Sequence, residues 1–302
     1  MLNRVEFWEQ RLFKEIAATR SMSRGAEHCG VSQSAASQHV QEVERRLGVT
    51  LLDRSKRPLE LTPAGRIYND FCRDVLRREE EFSLSLESLR GDVQGAVRVA
   101  SIYSAGLSEM SLLSARFAEK YPAAQLHVEY MRPDKIYDAV RDDAADLGLV
   151  SYPESSREIA AIPLRDEDMD VAVPPHHPLA DRGEIYPSDL NGYAFIGFDE
   201  DLRIRRELDR FLRAQGVEIN LAMHFDNIQM IKEAVALGQG ISILPARTMQ
   251  AEIEQGRLVA VKLNAPGLVR PVGIVHRRRK KFNRATDALL GMLVASREPA
   301  PV

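Results

Sequence analysis

The sequence predicts a chain that is α/β overall: a small N-terminal winged helix-turn-helix, a long linking helix, and a larger α/β C-terminal domain. Three observations carry this. A short helix, a glycine turn and an amphipathic helix follow one another within residues 21–48. Apolar residues then recur every seven positions from Tyr68 to Leu89. From Ala96 onward, short apolar runs alternate with helical patterns, as in a mostly parallel sheet. At 302 residues the chain exceeds one ordinary core and suggests at least two domains.

The net charge of −3 fits neither a strongly basic nucleic-acid coat protein nor an acidic solvating chain. No apolar run approaches the ~18–20 residues of a membrane span. Arg4, Glu6, Glu9, Arg11, Lys14 and Glu15 stud the first turns, where a secretory signal would need an apolar stretch. A cytoplasmic location without membrane contact is expected. Cys29 and Cys72 give neither metal spacing nor a disulfide framework, and are expected as free thiols.

Residues Val5 to Ala18 read as a first helix and Met22 to Cys29 as a second. Gly30 permits a tight turn because no Cβ forbids positive φ. Ser32 is placed to N-cap a third helix that ends at Gly48. In that helix Ala36, Val40, Val43 and Leu47 form one stripe expected to face the core. Gln33, Ser34, Ser37, Gln38 and Gln41 make the opposite face. These short or amide side chains suit base edges in a major groove. An ordinary solvated face is the alternative.

Leu51 to Arg54 and Leu59 to Leu61 read as two short strands around the turn Ser55-Lys56-Arg57-Pro58. Arg54, Lys56 and Arg57 are placed for phosphates or a minor groove. Residues 20–66 hold eight Arg plus Lys against five Asp plus Glu, a basic segment in a chain negative overall. Thr62-Pro63 starts a helix reaching about Arg90. Tyr68, Val75, Phe82 and Leu89, with Cys72 and Leu86 between them and Glu79 interrupting, suggest a coiled-coil-like dimer seam. A helix packed on its own domain would show a similar pattern.

Gly91 to Gly95 reads as a hinge. Strands are expected at Ala96–Ala100, Gln125–Tyr130, Asp146–Val150, Met169–Val173, Ala194–Phe198, Leu221–Phe225, Ile241–Leu244 and Val272–His276. Helices are expected from the end of the Ser101–Gly106 loop to Lys120, at Ile136–Asp143 and at Ile228–Leu237. In such sheets ligands sit beyond the carboxyl ends of strands, near helix starts. Those positions hold Ser101, Tyr103, Ser104, Arg132, Ser151, Asp199 and Asn227. The set suits a small anionic or polar ligand, although any one member could be a cap or turn residue. No resident cofactor is expected.

His176 and His177 are adjacent and point apart in extended backbone, so a turn is expected there rather than a metal. The run His276 to Lys281 reads as a solvated basic loop or a second DNA contact. No Walker loop, GxSxG, HExxH or dinucleotide fingerprint is present, so enzymatic activity is not expected. An enzyme with a DNA-binding appendage would need a nucleophile–base pair, and none is recognisable. A solute-binding protein would account for the second domain alone.

Three blocks resemble the LysR-type transcriptional regulators: Ser21-Met22-Ser23-Arg24-Gly25-Ala26-Glu27 through Val31-Ser32-Gln33-Ser34-Ala35-Ala36-Ser37, then Glu44-Arg45-Arg46-Leu47-Gly48 through Arg54, then Leu61-Thr62-Pro63-Ala64-Gly65. Two departures stand out. Ser34 sits where Pro is common, and Gln38 where Arg is common, which removes a charged contact to DNA. The resemblance implies domains at 1–62 (DNA-binding), 63–90 (linker and dimerisation) and 91–302 (effector-binding). It implies DNA contacts from Gln33, Ser34, Ser37 and Arg54, with Gln38 as a base reader, and Ser32, Lys56 and Arg57 complete the expected DNA-binding set. It implies a C-terminal domain similar to type 2 periplasmic binding proteins, with lobes at about 91–164 plus 267–302 and 165–266. Crossing strands would fall near Ile162–Asp168 and Asn264–Val269, the effector would sit between the lobes, and Gly238 to Pro245 would be typical of the second lobe. Partners implied are double-stranded DNA, further copies of the chain as dimer or tetramer, a small-molecule effector and, for an activator, RNA polymerase.

Overall fold

The computed structural model describes residues 7–87, 93–105 and 107–295, arranged as two compact units, Met1–Gly91 and Asp92–Val302. Val5, Leu89, Gly91 and Gly106 lie outside the described residues.

In the first unit, α1 (Trp8–Thr19), α2 (Met22–His28) and α3 (Gln33–Leu47) pack around Leu12, Phe13, Ile16, Ala36, Val40 and Val43. Ser21 caps α2, its hydroxyl accepting from the Arg24 N–H. Ser32 caps α3, accepting from the Ala35 N–H at 3.2 Å. Gly48 ends α3 in left-handed backbone at φ 68°. The expected stripe fails at its last member, because Leu47 is 51% exposed. The turn at Gly48 brings Leu51 and Leu52 back into the core, and they are buried where Leu47 is not.

β1 (Leu52–Asp53) and β2 (Glu60–Leu61) pair antiparallel as the wing. α4 (Pro63–Glu87) then leaves the domain, with Thr62 Oγ1 accepting from the Gly65 N–H at 2.9 Å. Gly65 is required there, since a Cβ would lie 1.9 Å from the Leu51 carbonyl oxygen. The expected seam divides. Cys72 is buried and Tyr68 packs edge-on to Phe13 at 4.8 Å, so both serve this unit's own core. Glu79 pairs with Arg11 of α1 at 3.3 Å. Ile67, Phe71 and Phe82 form an adjoining row that remains exposed.

The second unit holds β3 (Gly95–Ser101), α5 (Leu107–Lys120), β4 (Ala124–Tyr130), α6 (Pro133–Arg141) and β5 (Leu147–Ser151). The long β6 (Ile159–Val173) leads to β7 (Glu184–Ile185), β8 (Ala194–Phe198), α7 (Arg203–Ala214), β9 (Asn220–Phe225) and α8 (Ile228–Ala236). β10 (Ser242–Pro245), α9 (Gln250–Glu254), β11 (Val259–Leu263), β12 (Val269–Arg277) and α10 (Arg284–Ala295) follow. The sheet is mixed rather than mostly parallel. β4, β3 and β5 run parallel, but β12 pairs antiparallel with both β5 and β6. The cause is the two strands that pass between lobes in opposite directions. Along β6, residues to Asp168 pair with β12, and Met169 to Val173 pair with β10 and β11.

Each lobe has its own core. One is built on Val97, Phe117, Ile136, Leu147, Ile274 and Leu289. The other is built on Val171, Ile196, Leu208, Ile231, Ile243 and Val261. Four elements were not foreseen: β7, β11, α9 and α7. The first is too short to show alternation. The last carries its signal in Ile204, Leu208 and Leu212, all buried and four residues apart.

The basic run that begins at the end of β12 is mostly employed internally. Arg277 pairs with Asp143 at 2.5 Å, and the Lys280 ammonium lies 2.8 Å from Asp146. Arg278 donates to the Ser156 carbonyl at 3.0 Å. His177 Nδ1 accepts from the Leu179 N–H at 3.2 Å in a turn, with its ring against Tyr193.

Candidate functional site

α3 presents Gln33, Ser34, Gln38 and Gln41 to solvent, with Ser37 half-buried at the margin of that face. Ser32 has a structural task as the cap, and its hydroxyl lies 3.0 Å from that of Ser34. These amide and hydroxyl groups both donate and accept, and no carboxylate stands among them to repel phosphate.

Arg54 follows the first wing strand and is held by Glu44 at 3.1 Å. The other Glu44 oxygen accepts from the Leu51 and Leu52 N–H groups at 2.8 and 3.2 Å. One carboxylate therefore fixes both the strand and the cation beside it. Lys56 and Arg57 are exposed in the wing turn. Asp53 closes that turn by accepting from the Ser55 hydroxyl at 2.6 Å, and this bond lowers the Asp53 pKa.

In the second unit a cavity of about 70 Å³ lies between the lobes. Ile102, Met131, Phe198, Leu202, Ile204 and Ile228 give it apolar walls. Tyr103, Ser104, Arg132, Ser151 and Asn227 line it, as the strand-end rule expects. The starts of α6, α7 and α8 border it, where helix N–H groups favour negative charge. Asn227 caps α8, its Oδ1 accepting from the Met230 N–H at 3.0 Å.

Two expected residues do not line the cavity. Ser101 is fully buried, because β3 runs one residue further than expected and Ser101 pairs with both Tyr130 and Leu149. Its hydroxyl donates to the Ile102 carbonyl at 3.1 Å. Asp199 turns to His224 Nδ1 at 2.6 Å and stands 3.8 Å from Arg132.

Arg270, Arg203 and Asp226 line the cavity and were missed. Arg270 is 1% exposed. Its guanidinium pairs with Glu167 of β6, and it donates to Ser104 Oγ at 2.6 Å and to the Ser104 carbonyl at 3.2 Å. Glu167 also accepts from Arg165 Nε at 2.9 Å. The signal available was a charge inside the run Leu268-Val269-Arg270-Pro271-Val272, since a buried charge requires a partner. Tyr152, next to Ser151, holds left-handed backbone at φ 51° and donates its N–H to the Pro271 carbonyl at 2.7 Å. Burial pushes its phenol up to about 12.

A helix whose exposed amino-terminal half is uncharged, beside a basic wing and in one chain with a two-lobed cavity domain, defines the class of ligand-responsive DNA-binding regulators. The comparisons specify it further. The LysR substrate binding domain model matches residues 90–297, and that of the bacterial regulatory helix-turn-helix protein, lysR family, matches residues 9–66. The chain belongs to the LysR family, and it is a DNA-binding transcription regulator whose activity is set by a small molecule bound in its C-terminal domain.

A RuBisCO operon transcriptional regulator of Allochromatium vinosum is 28% identical, with 94% of each chain covered. The transcriptional regulator CysL of Bacillus subtilis is 24% identical, covering 94% of this chain and 95% of its own. Full-length OxyR C199D from Pseudomonas aeruginosa superposes with a TM-score of 0.71 at 22% identity, covering 96% of this chain and 97% of that one. CbnR complexed with its target DNA gives a TM-score of 0.65 at 22% identity, covering 97% of this chain and all of the other. These structural likenesses establish the fold. The relatives are transcriptional regulators, and no enzyme family is indicated. Among the described residues, no helix is long and apolar enough to cross a membrane.

Proposed function

We propose that the chain is a cytoplasmic, non-enzymatic regulator that reads duplex DNA as a homo-oligomer and responds to a small anionic or polar effector seated between its lobes. In this reading the DNA-binding domain spans 1–62, the linker 63–90 and the effector domain 91–302. Ser32, Gln33, Ser34, Ser37 and Gln38 face the major groove, while Arg54, Lys56 and Arg57 take phosphates or the minor groove. The exposed row Ile67, Phe71 and Phe82 pairs with a second copy, matching a two-fold operator. RNA polymerase is a further partner if the chain activates.

The observation that carries the effector part is the cavity itself, whose walls come from both lobes and whose lining includes three helix starts and three arginines. Effector shifts the balance of lobe arrangements only by its differential affinity for them. The resulting change in sensor packing alters the spacing of paired DNA readers.

A panel of small carboxylates, phosphate and sulfate tests this by thermal unfolding and operator affinity. At least one member should raise the unfolding midpoint and change operator affinity in wild type. Ser151→Trp, which fills the cavity, should lose both responses and keep its unliganded DNA affinity. A full response in Ser151→Trp would place the effector elsewhere.

A further inference from the structure

The cavity is closed on two sides by ion pairs that cross between lobes in opposite directions. Arg132, which follows β4 and precedes α6, belongs to the lobe of Val97 and Ile136. Its guanidinium reaches Asp201 at 2.5 Å, Asp226 at 3.5 Å and Asp199 at 3.8 Å. All three aspartates follow strands β8 and β9 of the other lobe. Asp134, at 3.6 Å, is local to Arg132. Arg203 begins α7 in that second lobe and pairs back with Glu154, which follows β5 of the first. Its guanidinium also stands over the Tyr152 ring, 5.6 Å from the centroid. The Glu154 N–H is fixed by the Tyr137 hydroxyl at 2.9 Å. Both arginines line the cavity.

We propose that Arg132 and Arg203 form a double latch that holds the two lobes together across the cavity, with the protein's own carboxylates occupying the positions an anionic effector would take. This rests on the effector-cavity reading above and adds its regulation. An anion entering the cavity competes with Asp201 and Asp226 for the Arg132 guanidinium. The surplus of aspartates around one arginine keeps that guanidinium occupied until the competitor arrives. Because the pairs are partly exposed, they are individually weak and screened by salt. Weakness is what a latch requires, since a small ligand can then open it. An anionic effector therefore enters by exchange with the carboxylates already paired to these arginines.

Hydrogen exchange on the full chain, without added ligand, tests the latch. The reporters are the segments around Met131 and Leu202, whose N–H groups bond the Ser101 and Asp199 carbonyls on either side of the cleft. Exchange there should rise about fivefold in Arg132→Gln/Arg203→Gln. It should rise in wild type as salt goes from about 0.05 M to about 0.5 M, and not rise further in the double variant. The strand cores Val97–Ala100 and Val171–Val173 serve as controls and should keep wild-type protection.

If the double variant loosens those cores as well, the charge-conserving Arg132→Lys/Arg203→Lys decides. Restored protection at the cleft supports the latch, and its absence overturns it. Unchanged cleft exchange in the double variant, or no response to salt in wild type, also overturns it. Because no ligand is used, a failed effector panel would count against the effector reading and leave the latch result standing.

Discussion

Asp146 shows how single residues here are fixed by several partners at once. It is 5% exposed, with Arg98 and Lys280 each 2.8 Å from its carboxylate. Burial raises its pKa, but the Arg98 hydrogen bond and the Lys280 charge outweigh this and hold the carboxyl below its ordinary value. A carboxylate depressed by folding contributes stability that is complete above its unfolded pKa of about 4 and lost as pH falls through the folded value. Wild type should therefore lose stability in acid more steeply than Asp146→Asn. At pH 7 the variant should be less stable by roughly 1–3 kcal/mol in denaturant unfolding. Parallel pH profiles would contradict this role. The same logic explains what single residues concealed in the sequence. Lys280 sits in a run that reads as solvent-facing, yet its partners Asp143 and Asp146 are more than a hundred residues away. Ser101 looks like a loop residue until a strand extends by one position and buries it.

At the scale of elements, what could be read depended on whether local pattern decided the outcome. α3 was legible from cap to cap because Ser32, the apolar stripe and Gly48 all act within one helix. β8 was legible because its ends are turns. β6 was legible only in part, since its continuation across the lobes is set by pairing with β12, which lies a hundred residues on in the chain. Arg270 and Glu167 were invisible as a pair for the same reason. The linker helix shows pattern and partner diverging. The seven-residue repeat mixed two faces: Tyr68 and Cys72 pack into the unit's own core, whereas Phe82 lies on an open face with Ile67 and Phe71, which stand outside the repeat. If the open face meets a second copy, Phe71→Glu/Phe82→Glu should shift sedimentation from dimer or larger to monomer, with little change in thermal unfolding of the DNA-binding unit. Wild-type assembly in that variant would assign the row to another task.

At the scale of the whole molecule, one chain carries a DNA-binding domain in its first unit and a cavity in its second. Net charge gave no indication of DNA binding, because a basic first segment is hidden in a chain of net charge −3. Charge is partitioned again at the cavity, where arginines are already paired with carboxylates across the lobes. If α3 reads bases, Ser37 is the position at which a single charge shows it. It is half-buried at the edge of the exposed face, so a carboxylate there would meet phosphate or base acceptors without disturbing the core. Operator binding by wild type and Ser37→Glu should be compared by fluorescence anisotropy at two salt concentrations, on DNA from upstream of the chain's own gene. Wild type should bind tightly and with sequence preference, and the variant should lose at least about tenfold in affinity, equivalent to ~1–3 kcal/mol. Equal affinity of the two proteins for the same operator would contradict it and remove α3 from the groove.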